Sequence, residues 1–196
     1  MKKITVAAFL FAAVAAQAQT VDFRKGDCKA VGVYDSWEES PFMTGELSGE
    51  VYVEDSTAVL TRSRFGSNMF GVRIDLRDPF RLTKKERYVH VWVKRPVDDS
   101  RLMLVTLGKR SDRPSQPDTV EQSWSISMNR PLKDEWTDVI FAVKGFSYAD
   151  KSRPGIDIHS LVVCPDVTDR STMAEDFKCH IGGIVINDDP MPRRAK

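Results

Sequence analysis

Between Arg87 and Lys94 the chain alternates two kinds of side chain. Val89, Val91 and Val93 fall on one parity, and Tyr88, His90, Trp92 and Lys94 on the other. In an extended strand, residues two apart project from the same face at ~7 Å spacing. The polar parity therefore lines up two aromatic rings with an imidazole and an ammonium group. Sugar rings present C–H faces that lie on aromatic side chains, and His and Lys supply partners for the hydroxyls. Arg73 alternates out of Phe70–Leu76 beside Asp75, and joins this face if the two strands share a sheet. Trp37, in Tyr34-Asp35-Ser36-Trp37-Glu38-Glu39, is a further candidate platform where a strand enters a loop. Each has a plainer reading. The β face packs under another element, and Trp37 covers one end of the core.

Other chemistries find less support. A glycosidase needs two carboxylates roughly 5 to 9.5 Å apart across a cleft, and no spacing selects such a pair. A polysaccharide lyase needs a Tyr or His base with a cation to neutralise a uronic carboxylate. Tyr88, His90, Lys94 and Arg73 include those types, which makes lyase the concrete enzymatic alternative. No Ser nucleophile elbow or phosphate-cradling Gly loop occurs. Four soft ligands at zinc spacing are absent. No cofactor is expected. The one metal to weigh is a structural Ca²⁺ held by oxygen donors near the chain ends: Glu38, Glu39, Glu46, Glu50, Asp188 and Asp189. Solvated charges are the ordinary reading of the same residues.

The elements that must position these groups read as short strands. Gly49–Glu54 and Thr57–Ser63 flank Asp55-Ser56, a hairpin signal. Phe70–Leu76, Arg87–Lys94, Arg101–Leu107, Gln122–Met128, Val139–Val143, Ile156–Cys164 and His180–Asn187 complete the set. Gln122–Met128 alternates Trp124, Ile126 and Met128, read as a core face, against Ser123, Ser125 and Ser127, read as a solvent face. Trp136 is read as structural, packing beside the doubly buried run Val139–Val143. Thr172 and Glu175 have capping-box spacing before Phe177 and allow one short helix. The tail from Pro190 is read as loose. Some ten antiparallel strands and at most one short helix predict an all-β, two-sheet antiparallel β-sandwich, with the jelly roll preferred over an immunoglobulin-like arrangement.

Lys2 and Lys3, the apolar run Ile4–Ala16 and Ala16-Gln17-Ala18 read as a signal peptide over residues 1–18, leaving 19–196 as a single domain. The apolar run is shorter than the ~20 residues of a spanning helix. No transmembrane segment is expected elsewhere, and Cys28 stands too far downstream for a lipoprotein anchor. Export to the periplasm, cell surface or exterior follows. The whole chain carries 29 basic and 28 acidic residues, and residues 19–196 carry 27 and 28. Nucleic acid is a poor partner for so balanced a chain. An exported chain permits disulfides. Cys164 and Cys179 flank one polar connection and are the favoured pair, closing a loop for roughly 3 kcal/mol; the alternative is three reduced thiols packed as small apolar groups.

Several strings carry a resemblance. They are Asp35-Ser36-Trp37, Ser40-Pro41-Phe42 with Thr44-Gly45, and Arg64-Phe65-Gly66-Ser67-Asn68-Met69-Phe70-Gly71 with Asp75-Leu76 and Pro79-Phe80. Tyr88-Val89-His90-Val91, Asp157-Ile158, Ser160-Leu161-Val162-Val163 and Ile184–Asp188 with Pro190 and Pro192-Arg193 continue it. In layout they resemble secreted β-sandwich proteins of Bacteroidota with a galactose-binding-like jelly roll. The resemblance implies that fold and a place at the cell envelope of glycan-feeding bacteria. Where such domains read Ile-Asp-Asp-Ile on the last strand, this chain has Ile181-Gly182-Gly183-Ile184, without the acidic pair. The expectation is a secreted, non-catalytic module binding a polysaccharide or oligosaccharide. A protein-binding or adhesion scaffold with an envelope protein partner is the alternative, and a lyase or glycoside hydrolase the third reading.

Overall fold

The structure is a computed structural model that describes residues 18–23, 27–35, 51–61, 70–81, 87–96, 101–110, 120–143, 156–165 and 177–193. Trp37, Glu38, Glu39, Glu46 and Glu50, the leader up to residue 17 and the proposed helix cap at Thr172 and Glu175 lie outside the described residues.

Eleven strands are described: β1 (Gln19–Val21), β2 (Cys28–Asp35), β3 (Val51–Glu54), β4 (Thr57–Leu60), β5 (Phe70–Arg81) and β6 (Arg87–Lys94). The rest are β7 (Met103–Arg110), β8 (Val120–Ile126), β9 (Thr137–Val143), β10 (Ile156–Cys164) and β11 (Cys179–Asn187). No helix occurs among the described residues. The first sheet runs β3-β4-β11-β6-β9, with β1 also on β11, and the second runs β2-β5-β10-β7-β8. Every strand pairing is antiparallel. From β4 onward the chain crosses between sheets at each connection except β7 to β8, the jelly-roll path.

Local chemistry explains much of this. Asp55 and Ser56 both take positive φ (46° and 71°), the tight two-residue turn whose twist suits a hairpin. Val72, Ile74 and Leu76 of β5 and Val89, Val91 and Val93 of β6 are all buried and meet in one core between the sheets. Burial of each such side chain stabilises by about 1.5–3 kcal/mol. Tyr34, Met103, Val105, Leu107, Val162 and Cys164 form a second buried cluster on the other face of the second sheet.

Three expectations are corrected here. Trp124 and Ile126 pair with Val105 and Met103, so they share the outer face of the second sheet. They are 39% and 37% exposed, and Met128 49%. The serines take the inner side instead: Ser123 and Ser127 are buried, and Ser127 Oγ accepts the Leu102 N–H at 3.2 Å and donates to the Asn129 carbonyl at 2.7 Å. Alternation separates two faces, while the register with β7 decides which one is inward. The bridge between Cys164 and Cys179 does not form. Cys179 packs in the core between the sheets, and Cys164 in the cluster on the far side of the second sheet. Two thiols on opposite sides of a sheet cannot meet disulfide geometry. The tail is not loose through Arg193, which hydrogen-bonds Asp138 through its backbone and guanidinium.

Candidate functional site

The face carrying Tyr88, His90, Trp92 and Lys94 is the outer face of the first sheet, because the valines between them enter the core. Trp92 faces Asp138 of β9, and Lys94 faces His180 of β11. Arg73 is not brought to this face. It lies on β5 in the second sheet, on the opposite side of the sandwich, and pairs with Asp75 at 2.8 Å. Asp75 also accepts a 2.6 Å hydrogen bond from Ser160 Oγ, so this group forms its own network.

His90 is fully buried despite facing outward, because the chain after β11 folds back over it. Its Nδ1 lies 2.9 Å from Asp138 Oδ2, and its Nε2 lies 2.7 Å from the Asp189 carbonyl and 3.1 Å from Asn187 Oδ1. The Asn187 oxygen already accepts the Asp189 N–H at 2.9 Å. Both ring nitrogens therefore face acceptors, and the pattern is complete when both carry protons. Burial pulls the imidazole pKa down, but the bonds to Asp138 and the Asp189 carbonyl outweigh it and the net shift is upward. Arg193 closes the arrangement from the tail. Its N–H meets Asp138 Oδ2 at 2.6 Å, and its Nε and Nη2 meet Oδ1 at 3.0 and 2.7 Å. Burial raises the Asp138 pKa, yet the bonds from His90 and Arg193 prevail and hold the carboxyl below its ordinary value. The network favours the protonated ring, and both His90 nitrogens are engaged by protein acceptors, so the arrangement presents no open nitrogen to a ligand.

Above this clasp lies a strip of rings. The Arg193 guanidinium stands 5.2 Å from the centre of the half-buried Trp92 ring. Gly182 sits where β11 shifts register against β6 between Ile181 and Ile184. A Cβ there would come within 3.1 Å of Trp92 Cβ and 3.4 Å of Trp136 Cζ3. The glycine therefore leaves bare backbone on which the Trp136 indole rests, next to the Cβ of Trp92. Trp136 is 42% exposed and meets His180 edge to face, with centroids 6.4 Å apart. A turn with Asp134 at φ 57° delivers it, pinned by the Asp134 N–H on the Arg95 carbonyl at 2.8 Å and by Thr137 Oγ1 accepting the Leu132 N–H at 2.9 Å. Burial, then Lys94 and Lys178, push the His180 pKa down against the opposing pull of Glu54. A neutral imidazole both donates and accepts, which suits a hydroxyl.

Of the expected site residues, β6 brings Tyr88, Trp92 and Lys94 to one outer face, and His90 is present but enclosed. Trp136, His180, Gly182, Asp138 and Arg193 had no place in the expected site. The Gly182-Gly183 pair inside an apolar strand was the one local signal, since strand glycines mark bulges and close approaches. For Ca²⁺, no group of three or more His, Cys, Asp or Glu is arranged to hold a metal among the described residues. Asp188 pairs with Arg87 at 3.0 Å, and Asp189 accepts the Met191 N–H at 2.9 Å.

No family model matches the sequence. No curated protein matches it either. Solved structures do. One is the CBM22-1 and GH10 module pair of a Clostridium thermocellum endo-1,4-β-D-xylanase in complex with xylohexaose, with 13% identity, a TM-score of 0.41, 76% of this chain covered and 27% of that one. A family 30 carbohydrate-binding module of a cellulosomal cellulase from the same organism has 11% identity, a TM-score of 0.39, and coverage of 88% and 99%. A cyclase from Fischerella sp. TAU in complex with 4-(1H-indol-3-yl)butan-2-one has 11% identity, a TM-score of 0.38, and coverage of 91% and 86%. Likenesses this distant leave ligand and reaction open.

Proposed function

We propose that the chain is an exported, non-catalytic module that binds carbohydrate on the outer face of its first sheet. The observation that carries this reading is the exposed indole of Trp136, packed on Gly182 next to the Cβ of Trp92 and edge to face with His180. A ring packed on bare backbone, as Trp136 is on Gly182, loses little conformational freedom on binding, and an indole face suits the C–H face of a pyranose. His180, which touches Trp136, Lys94 across from it and Tyr88 further along the same face supply hydroxyl partners. The leader-like residues 1–18 support export, and no helix of the described residues is long and apolar enough to cross a membrane.

The test is native affinity electrophoresis of the purified protein against polysaccharide gels, with each gel re-assayed for reducing or unsaturated ends. Retardation without new ends is expected. Trp136→Ala should weaken binding by about 1–2 kcal/mol, roughly five- to thirty-fold, with the fold intact. Trp124→Ser, on the opposite sheet, should leave binding unchanged. Binding indifferent to Trp136 and Trp92 sinks this site, and new ends move the enzyme reading forward. A second reading has its own observation: Trp124, Ile126 and Met128 line up exposed along and just beyond the edge strand β8. That apolar border suits a protein partner, and on that reading Trp124→Ser is the variant that loses binding.

A further inference from the structure

The charges around the aromatic strip differ from the ion pairs elsewhere on the sandwich. Arg73, Arg81, Arg87 and Arg193 are each matched by a carboxylate, on Asp75, Asp157, Asp188 and Asp138 respectively. Lys94 and Lys178 are not: neither has an ion-pair partner among the described residues. Lys94 stands directly across from His180, and Lys178 lies two residues before it, exposed, at the mouth of β11. Both act electrostatically on His180, which touches Trp136, and Glu54 is the acid set against them. Two ammonium groups without an ion-pair partner among the described residues thus flank His180, the ring that Trp136 meets.

A pyranose lying on an indole turns its ring substituents outward, towards whatever borders the indole. A neutral sugar offers two lysines only hydroxyls. A uronic acid offers a carboxylate, which an ammonium binds as a charge-assisted hydrogen bond. The chain as a whole is near neutral, so a general positive field would not account for polyanion binding. We propose that the ligand is an acidic polysaccharide, a chain of uronic acid units whose rings lie on Trp136 and Trp92 and whose carboxylates meet Lys94 and Lys178. This rests on the carbohydrate-binding reading of the same face and narrows it to one chemical class.

The experiment measures affinity of the full chain for polygalacturonate, alginate and hyaluronan, each beside its methyl ester, and for neutral xylan, galactan and glucan. Esterification removes the charge and keeps ring and linkage. At least one free acid should bind, with its ester at least five-fold weaker. Raising NaCl from about 20 to 300 mM should weaken the acid and spare the ester. Lys178→Gln should weaken the acid by up to about five-fold, the range of an exposed ion pair, and leave ester binding unchanged, while Lys94→Gln should weaken the acid more than the ester. An ester or neutral glycan bound as tightly as the acid overturns the proposal while the carbohydrate reading stands. Acid binding untouched by both lysine variants overturns the site. No glycan bound at all overturns the proposal together with the reading it rests on, and points to the protein partner.

Discussion

Asp138→Asn tests the clasp beneath the platform. The carboxylate receives four hydrogen bonds, from His90 Nδ1 and from Arg193 N, Nε and Nη2, at 2.6 to 3.0 Å. Asparagine keeps the size but removes the charge, and its amide turns a donor towards one set of donors. Removing one partner of a buried pair costs about 3–5 kcal/mol. Arg193 is 24% exposed and can turn to water, while His90, at 0%, can give up its proton. Both reliefs favour the lower end, about 3 kcal/mol, or roughly 6–12 °C in melting temperature for a domain of this size. The pH dependence carries a sign. His90's folded pKa is above its ordinary 6.5, so its contribution is complete below that value and lost as pH rises through the folded pKa. Asp138's folded pKa is below its ordinary 3.8, so its contribution is present above that value and lost as pH falls through the folded pKa. The clasp is therefore strongest between pH 3.8 and 6.5. His180 opposes it, since a depressed imidazole pKa stabilises above 6.5 and less so as pH falls. The assay is urea unfolding followed by tryptophan fluorescence from about pH 5 to 9, in a His180→Gln background, with and without Asp138→Asn. The parent should lose stability as pH rises above 6.5, and the Asn variant should show little of that slope. A variant that keeps the slope, or loses under about 1 kcal/mol, refutes the imidazolium clasp.

Other outcomes follow from the same geometry. Gly182→Val should lower stability by about 1–3 kcal/mol through overpacking and weaken ligand binding by displacing the Trp136 ring and the Trp92 side chain; unchanged affinity would mean the site does not need that floor. Dithiothreitol should leave the melting temperature unchanged, because Cys28, Cys164 and Cys179 are thiols; a fall of several degrees would restore the bridge.

Strand positions were legible because alternation and turn chemistry are local. Arg87–Lys94 keeps its bounds, the Asp55-Ser56 hairpin forms as its residues demand, and parity puts Tyr88, Trp92 and Lys94 on one face, which packing of the valines in the core makes the outer one. Strand β2 was expected only as an unbounded strand ending before Trp37. Gly32 interrupts its alternation and Cys28, Ala30 and Val31 blur its faces, so burial of Val31 and Val33 arises from pairing with β5.

What the sequence determined by itself was a set of two-faced strands, a near-neutral chain and an aromatic and basic parity at Tyr88, Trp92 and Lys94. The tertiary structure decided which parity of β8 turns inward, because that depends on register with β7. It also decided that Arg73 belongs to the other sheet, because sheet membership is set by partners distant in the chain. The site itself is of this second kind. His90 meets Asp138 across 48 positions, and Arg193 reaches Asp138 across 55. Trp136 meets His180 only because a turn and a bulged strand converge over Gly182. No periodicity within one segment encodes such meetings, since the energy that selects them is released only when the strands pack.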